Sequence, residues 1–199
     1  EVLGFITQNS FCLAVAGTHG KTTTSSILAH ILVESCASVS AFLGGIAENF
    51  NSNLVLHGNE YTVAEADEFD RSFLRLSPNI ACITSMDADH LDIYGDEQHL
   101  IEGFHQFAGK IKEGGSLIVR NGLAIAGETF GLEDDSDYSF QHIRIVDGVY
   151  HFDFKYKGGI YKDYTFLKPG RHNLLNALAA VSMAVKTGFS PEALLPHLA

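Results

Sequence analysis

Gly17-Thr18-His19-Gly20-Lys21-Thr22-Thr23 sits between an apolar run, Phe11–Ala16, and an amphipathic stretch, Lys21–Val33. The run reads as a buried strand. The stretch reads as a helix with Ile27, Leu28, Ile31 and Leu32 on one face. A glycine turn joining a strand to a helix is the context of a phosphate cradle. Its glycines let backbone N–H groups approach an anion, and the helix dipole adds positive charge there. In such a P-loop Lys21 reaches the β- and γ-phosphates and the Thr22 hydroxyl ligates Mg²⁺. The general form G-x-x-x-x-G-K-[ST] is not met, because Val15 stands five residues before Gly20. The alternative is a plain glycine turn containing Gly-Lys-Thr by chance.

Outward from the loop, short apolar runs alternate with amphipathic ones. Val39–Leu43, Tyr61–Glu65, Ile80–Thr84 and Ser116–Arg120 read as strands, and Glu97–Lys112 as a helix with Leu100, Phe104, Phe107 and Ile111 inward. This alternation predicts βαβ units, hence an α/β fold with a mostly parallel sheet flanked by helices. Near 137–166 aromatic and β-branched residues alternate around Asp147-Gly148 and Gly158-Gly159, which predicts a small antiparallel β meander. Arg171–Thr187 reads as a helix with Leu174, Leu175, Leu178, Val181 and Val185 inward. Pro191 opens a last short one.

The 199 residues amount to one domain on length alone, with enough chain to bury a core. No apolar run approaches the ~18–20 residues of a membrane span. Asp and Glu outnumber Lys and Arg 24 to 13, giving a net charge of −11, which disfavours a nucleic-acid partner. Any anionic ligand therefore needs a locally built site. Cys12, Cys36 and Cys82 form no C-x-x-C pair, so a zinc ribbon is not expected and a reducing, cytoplasmic setting is.

Two acidic clusters follow strand ends. Glu65-Ala66-Asp67-Glu68-Phe69-Asp70 ends one strand, and Asp87-Ala88-Asp89-His90-Leu91-Asp92 follows another. Ligands of open α/β sheets bind at the carboxyl ends of strands, and crowded carboxylates suit magnesium. A solvated loop with a helix cap at Asp67 or Asp70 accounts for the first cluster equally well. His90 stands between a metal or phosphate role and a structural one; two strand ends converging on the loop favour the former. In Gly170-Arg171-His172-Asn173-Leu174-Leu175-Asn176, His172 and Asn176 lie one helical turn apart, with Asn173 beside them. Amides suit an adenine edge, although capping and surface polarity explain this composition at least as simply. Gly44–Asn53 reads as a polar surface loop.

These motifs, in this order, resemble the Mur ligase family of ATP-dependent amide-forming enzymes in peptidoglycan precursor synthesis. Ala16–Thr24 and the Glu65–Asp70 segment are similar to its alanine-adding branch, and Asp89-His90-Leu91-Asp92 to the family's D-H-x-D. The resemblance runs from about Phe11 to Leu198 and concerns the central, ATP-binding domain. It implies that chain 1–199 is that domain, with the UDP-binding N-terminal and the C-terminal domains outside it. It implies ATP and Mg²⁺ as cofactors, with UDP-N-acetylmuramate and L-alanine as substrates joined through an acyl phosphate. The tripeptide-adding branch of cell-wall recycling is the alternative, and a nucleotide-binding module without ligase chemistry a further one. The implied nucleotide contacts are Gly17, Thr18, His19, Gly20, Lys21, Thr22, Thr23, His172, Asn173 and Asn176. Thr22, Glu65 and His90 hold magnesium, and Lys21, Glu65 and His90 are catalytic. Gly44–Asn53 faces the UDP-sugar carboxylate. The isolated chain is expected to be catalytically silent. Two departures stand out. Many members have Asn where this chain has Ser85, and some carry a carbamylated lysine where it has His105.

Overall fold

The computed structural model describes residues 2–69, 71–87 and 97–198. Helix α1, Val2–Asn9, precedes β1, Phe11–Ala16, and the glycine loop leads into α2, Lys21–Glu34. Strands β2, Val39–Ala47, β3, Ser52–Leu56, and β4, Tyr61–Glu65, follow, then a 3-10 turn at Ser72–Arg75 and β5, Ile80–Ile83. Helix α3, Glu97–Ala108, leads to β6, Ser116–Arg120, and β7, Glu128–Leu132. The series continues through β8, Tyr138–Val146, β9, Val149–Tyr156, and β10, Gly159–Phe166. Helix α4, Arg171–Lys186, the one-turn α5, Pro191–Leu194, and a 3-10 turn, Leu195–Leu198, close the chain. The Ser190 hydroxyl caps α5 by accepting from the Ala193 N–H, and Pro191 sits in its first turn, where a missing N–H costs nothing.

All ten strands form one sheet in the order β10-β9-β8-β7-β6-β5-β1-β4-β2-β3. Strands β2, β4, β1, β5, β6, β7 and β8 run parallel, with antiparallel pairing at β2–β3, β8–β9 and β9–β10. The predicted meander is present, and it extends the parallel sheet rather than standing apart from it.

Alternation along the strands splits the core into two layers. Leu13 and Val15 of β1 face α2 and α4, packing with Leu28, Leu32, Leu178 and Val181. Cys12, Ala14 and Ala16 face the opposite side with Phe73, Phe104 and Phe107. Phe73 stacks on Phe107 at 5.2 Å between ring centroids and meets Phe104 edge-on. Truncating a fully buried Phe such as Phe104 to Ala costs about 3–5 kcal/mol. The small residues on this face of β1 let the aromatic layer approach the sheet closely.

Two segments differ from the sequence reading. Val39–Leu43 does not stop at Gly44-Gly45: β2 continues to Ala47 and turns into β3, so the expected surface loop is the end of a hairpin. The pairing register shifts between Phe42 and Ala47, where the glycines sit. A glycine pair weakens a strand but tolerates such a bulge. Strand β7 carries little signal in the sequence, because Glu128–Leu132 is short, opens with two polar residues and includes Gly131. Among the described residues no helix is long and apolar enough to cross a membrane.

Candidate nucleotide and metal site

Strand β1 lies between β4 and β5, with Val15 in register with Glu65 and Ala16 with Ile83. The chain leaves β1 toward β4 and β2 on one side and reaches β5 and β6 on the other. The glycine loop thus stands where the strand order reverses, at the carboxyl edge of the sheet. The same edge carries Glu65 and the segment after β5.

The loop is shaped by two left-handed glycines. Gly17 has φ +132° and Gly20 φ +85°. A Cβ on Gly17 would lie 2.2 Å from Thr84 Oγ1, and one on Gly20 2.5 Å from Asn176 Oδ1. Gly20 is also the N-cap of α2 and offers no side-chain cap, so the first N–H groups of that helix are left without this partner and face the loop. Hydroxyls after β5 pin the other half of the loop. Thr84 donates to the His19 carbonyl at 2.5 Å, and Ser85 Oγ accepts from His19 N–H at 2.8 Å. Ser85 Oγ also lies 2.8 Å from Thr18 Oγ1, which accepts from Asp87 N–H at 3.1 Å. Serine in the place of the family's asparagine therefore still ties this strand end to the loop.

Lys21 folds back over the loop. Its Nζ donates to the Gly17 carbonyl at 2.8 Å and meets the Glu68 carboxylate at 2.9 and 3.0 Å. Thr22 Oγ1 donates to Glu65 Oε1 at 2.8 Å, and Gly44 N–H donates to Oε2 at 2.7 Å. A hydroxyl and a carboxylate brought together beside a polyphosphate cradle form an oxygen-rich donor set suited to a hard divalent cation. The residues present fit both groups: the glycine cradle a phosphate chain, Thr22 and Glu65 magnesium.

Two hollows flank the loop. One, of about 420 Å³, lies between α2 and the β2–β3 hairpin, lined by Thr22, Thr23, His30, Glu48, Asn49 and Lys168 among others. The other, of about 360 Å³, runs from His19 and Gly20 past Ser85 and Asp87 to Arg120, His172 and Asn176. It shares Arg120, His172 and Leu175 with a neighbouring hollow of about 390 Å³. His172 and Asn176 thus reach the loop side of α4, whereas the Asn173 amide is turned to the Pro169 carbonyl at 2.6 Å. His19 lies 3.9 Å from Asp87, both well exposed. His90, Asp89, Asp92 and Asp70 lie outside the described residues. Among the described residues, no cluster of three or more His, Cys, Asp or Glu side chains is arranged to hold a metal by itself.

Four contributors were not singled out from sequence: Glu68, Thr84, Arg120 and Lys168. Thr84 follows β5, which lies beside β1, and Arg120 ends β6, the next parallel strand out, so both stand at the carboxyl ends of strands that the apolar pattern marks. Glu68 was hidden among other acids, and Lys168 lies in an irregular connection.

A family model of the Mur ligase middle domain matches residues 15–184. The chain belongs to the Mur ligase middle-domain family. Over its full length it is 58% identical to the UDP-N-acetylmuramate–L-alanine ligase of Flavobacterium psychrophilum, of which it covers 44%. Among solved structures, the UDP-N-acetylmuramate:L-alanyl-gamma-D-glutamyl-meso-diaminopimelate ligase of Neisseria meningitides matches with TM-score 0.85 and 25% identity, over 99% of this chain and 68% of that one. The UDP-N-acetylmuramate-alanine ligase of Thermotoga maritima matches with TM-score 0.83 and 28% identity, over 96% and 45%. This Mur ligase middle domain spans less than half the length of the curated relatives it matches.

Proposed function

We propose that this chain is the ATP- and magnesium-binding middle domain of a ligase that joins L-alanine to UDP-N-acetylmuramate. The observation that carries the reading is the Thr22–Glu65 oxygen pair at the mouth of a loop that also holds Lys21. The 58% identity to a ligase of that name supports the choice of substrates. The reaction class is transfer of the γ-phosphoryl group of ATP to the lactyl carboxylate, which releases ADP and gives an acyl phosphate, followed by attack of the alanine amine, which forms the amide and releases phosphate.

The chain's own residues bind and align. The Gly17–Thr22 backbone cradles the phosphates, and the Lys21 ammonium faces the charge that builds during transfer. Thr22 and Glu65 hold magnesium, which when bound supplies positive charge and orientation to the phosphate oxygens. His90 is assigned a second metal on the motif it shares with the family. His172 and Asn176 border the hollow beside the loop, and we assign them to the adenine and ribose. The hollow bordered by Asn49, His30 and Lys168 is assigned to the sugar-linked carboxylate. Closing over ATP and holding the UDP group are assigned to parts of such a ligase other than this domain.

The test is amide formation by the protein in its natural length from UDP-N-acetylmuramate, ATP and L-alanine. Turnover with L-alanine and not with the tripeptide supports the reading. Preference for L-alanyl-γ-D-glutamyl-meso-diaminopimelate would move the chain to the recycling branch, and phosphate release with neither would leave a nucleotide-binding module.

A further inference from the structure

The Lys21–Glu68 pair is a second charged contact at the loop, separate from the Thr22–Glu65 pair. Glu68 is buried, with 1% of its side chain exposed against 14% for Lys21. A built turn delivers it there. Ala66 N–H donates to the Val15 carbonyl at 2.8 Å, Phe69 N–H to Asp67 Oδ1 at 3.1 Å and Arg71 N–H to the Glu68 carbonyl at 3.1 Å. Arg71 takes up the left-handed conformation that closes the turn. The Glu68 carboxylate is thereby fixed to the end of β4, and Lys21 is held between it and the Gly17 carbonyl.

An ammonium has three N–H bonds. Two of those on Lys21 are committed, to Gly17 and to Glu68, and one is left for a phosphate oxygen. Two consequences oppose each other. Fixing Nζ removes the entropy of ordering a long side chain at the moment of reaction, which favours the transition state. The buried negative charge offsets the ammonium and repels a polyphosphate, which weakens ground-state binding.

Resting on the reading of Gly17–Thr22 as a nucleotide site, we propose that Glu68 is a positioning residue for Lys21. It holds the ammonium in place for phosphoryl transfer at the expense of resting nucleotide affinity. Interactions that favour the transition state over the ground state are the ones that raise turnover. The Lys21–Glu68 pair is built in that sense.

The deciding experiment is calorimetric titration of the chain with ADP in excess chelator, for the unsubstituted protein and Glu68→Gln. It is paired with turnover of the natural-length enzyme carrying the same change. Glutamine keeps the shape and an acceptor oxygen but removes the charge. ADP is expected to bind about tenfold more tightly, the scale of one near charge removed in a partly screened site. The KM for ATP is expected to fall, and kcat to fall by about tenfold or more. Unchanged or weaker ADP binding, or unchanged kcat, would overturn the proposal. If Glu68→Gln does not fold, Glu68→Asp decides. The charge stays but the arm shortens, so kcat drops while ADP affinity stays within about twofold; tightening, or unaltered kcat, would overturn it. Absence of ADP binding by the unsubstituted chain would instead remove the nucleotide-site reading itself.

Discussion

The hydroxyl of Thr22 and the carboxylate of Glu65 are 2.8 Å apart although 43 residues separate them in sequence. The parallel pairing of β1 with β4 brings them together, with Val15 opposite Glu65. Gly44 N–H holds the second carboxylate oxygen, so the side chain is oriented before any ligand arrives. Preorganised donors and acceptors avoid reorganisation when charge develops.

Glu65→Ala is therefore expected to abolish the magnesium dependence of ADP affinity while leaving affinity in chelator within about threefold. In the natural-length enzyme kcat is expected to fall about 10²–10³-fold, as when a preorganised electrostatic group is removed. Titrations with and without magnesium check the first point and initial rates the second. Retained magnesium dependence would place the metal elsewhere.

Gly20→Ala introduces a Cβ into a left-handed position, 2.5 Å from Asn176 Oδ1. The conformational cost alone is about 1–2 kcal/mol, and Asn176 must also move. A lower thermal midpoint and weaker ADP binding are expected. Gly20→Ala combined with Asn176→Ala is expected to regain part of the stability, since the obstruction is gone, but none of the nucleotide affinity. A thermal scan and an ADP titration of both variants distinguish the two effects.

Asp153 joins two irregular places in the meander. It accepts from Asp163 N–H at 3.0 Å and pairs with His142 Nδ1 at 2.9 Å, each partner sitting at a register shift in a neighbouring strand. Burial works to raise the carboxyl's pKa, but the His142 and Asp163 hydrogen bonds prevail and hold it below the usual aspartate value. A depressed folded pKa contributes stability above the unfolded value of about 3.9, and that contribution is lost as pH falls through the folded value. Asp153→Asn is expected to cost about 1–3 kcal/mol near pH 7, with the difference shrinking below about pH 4. Urea midpoints from pH 7 to 3 measure it.

The three thiols are expected to separate in reactivity. Burial pushes Cys12 up to about 12 and Cys82 higher still, whereas Cys36 is exposed. Since the thiolate is the nucleophile, labelling of the native chain at pH 8 is expected to modify Cys36 rapidly. Cys12 and Cys82 should react only on unfolding.

Most of the parallel sheet was legible because its strands are continuous apolar runs, and Leu13–Val15 or Ile80–Ile83 admit little else. The loop was legible because Gly-Lys-Thr between strand and helix carries its own mechanism. The β2–β3 hairpin was not, since Gly44-Gly45 looks like a stop and only the pairing of β3 reveals a bulge. The Glu68 contact was equally hidden: one acid among several shows its partner only when the turn after β4 is folded. Asn173 suits a ligand contact by type, whereas its amide bond to the Pro169 carbonyl shows only in the fold.

The central claim is that Lys21, Thr22 and Glu65 form one magnesium–nucleotide site. It is tested most directly by a crystal structure of the chain grown with ADP and magnesium. The expected result is a diphosphate over Gly17–Thr22 with the metal contacting the Thr22 hydroxyl. A nucleotide bound away from the loop, or a metal remote from both Thr22 and Glu65, would contradict it.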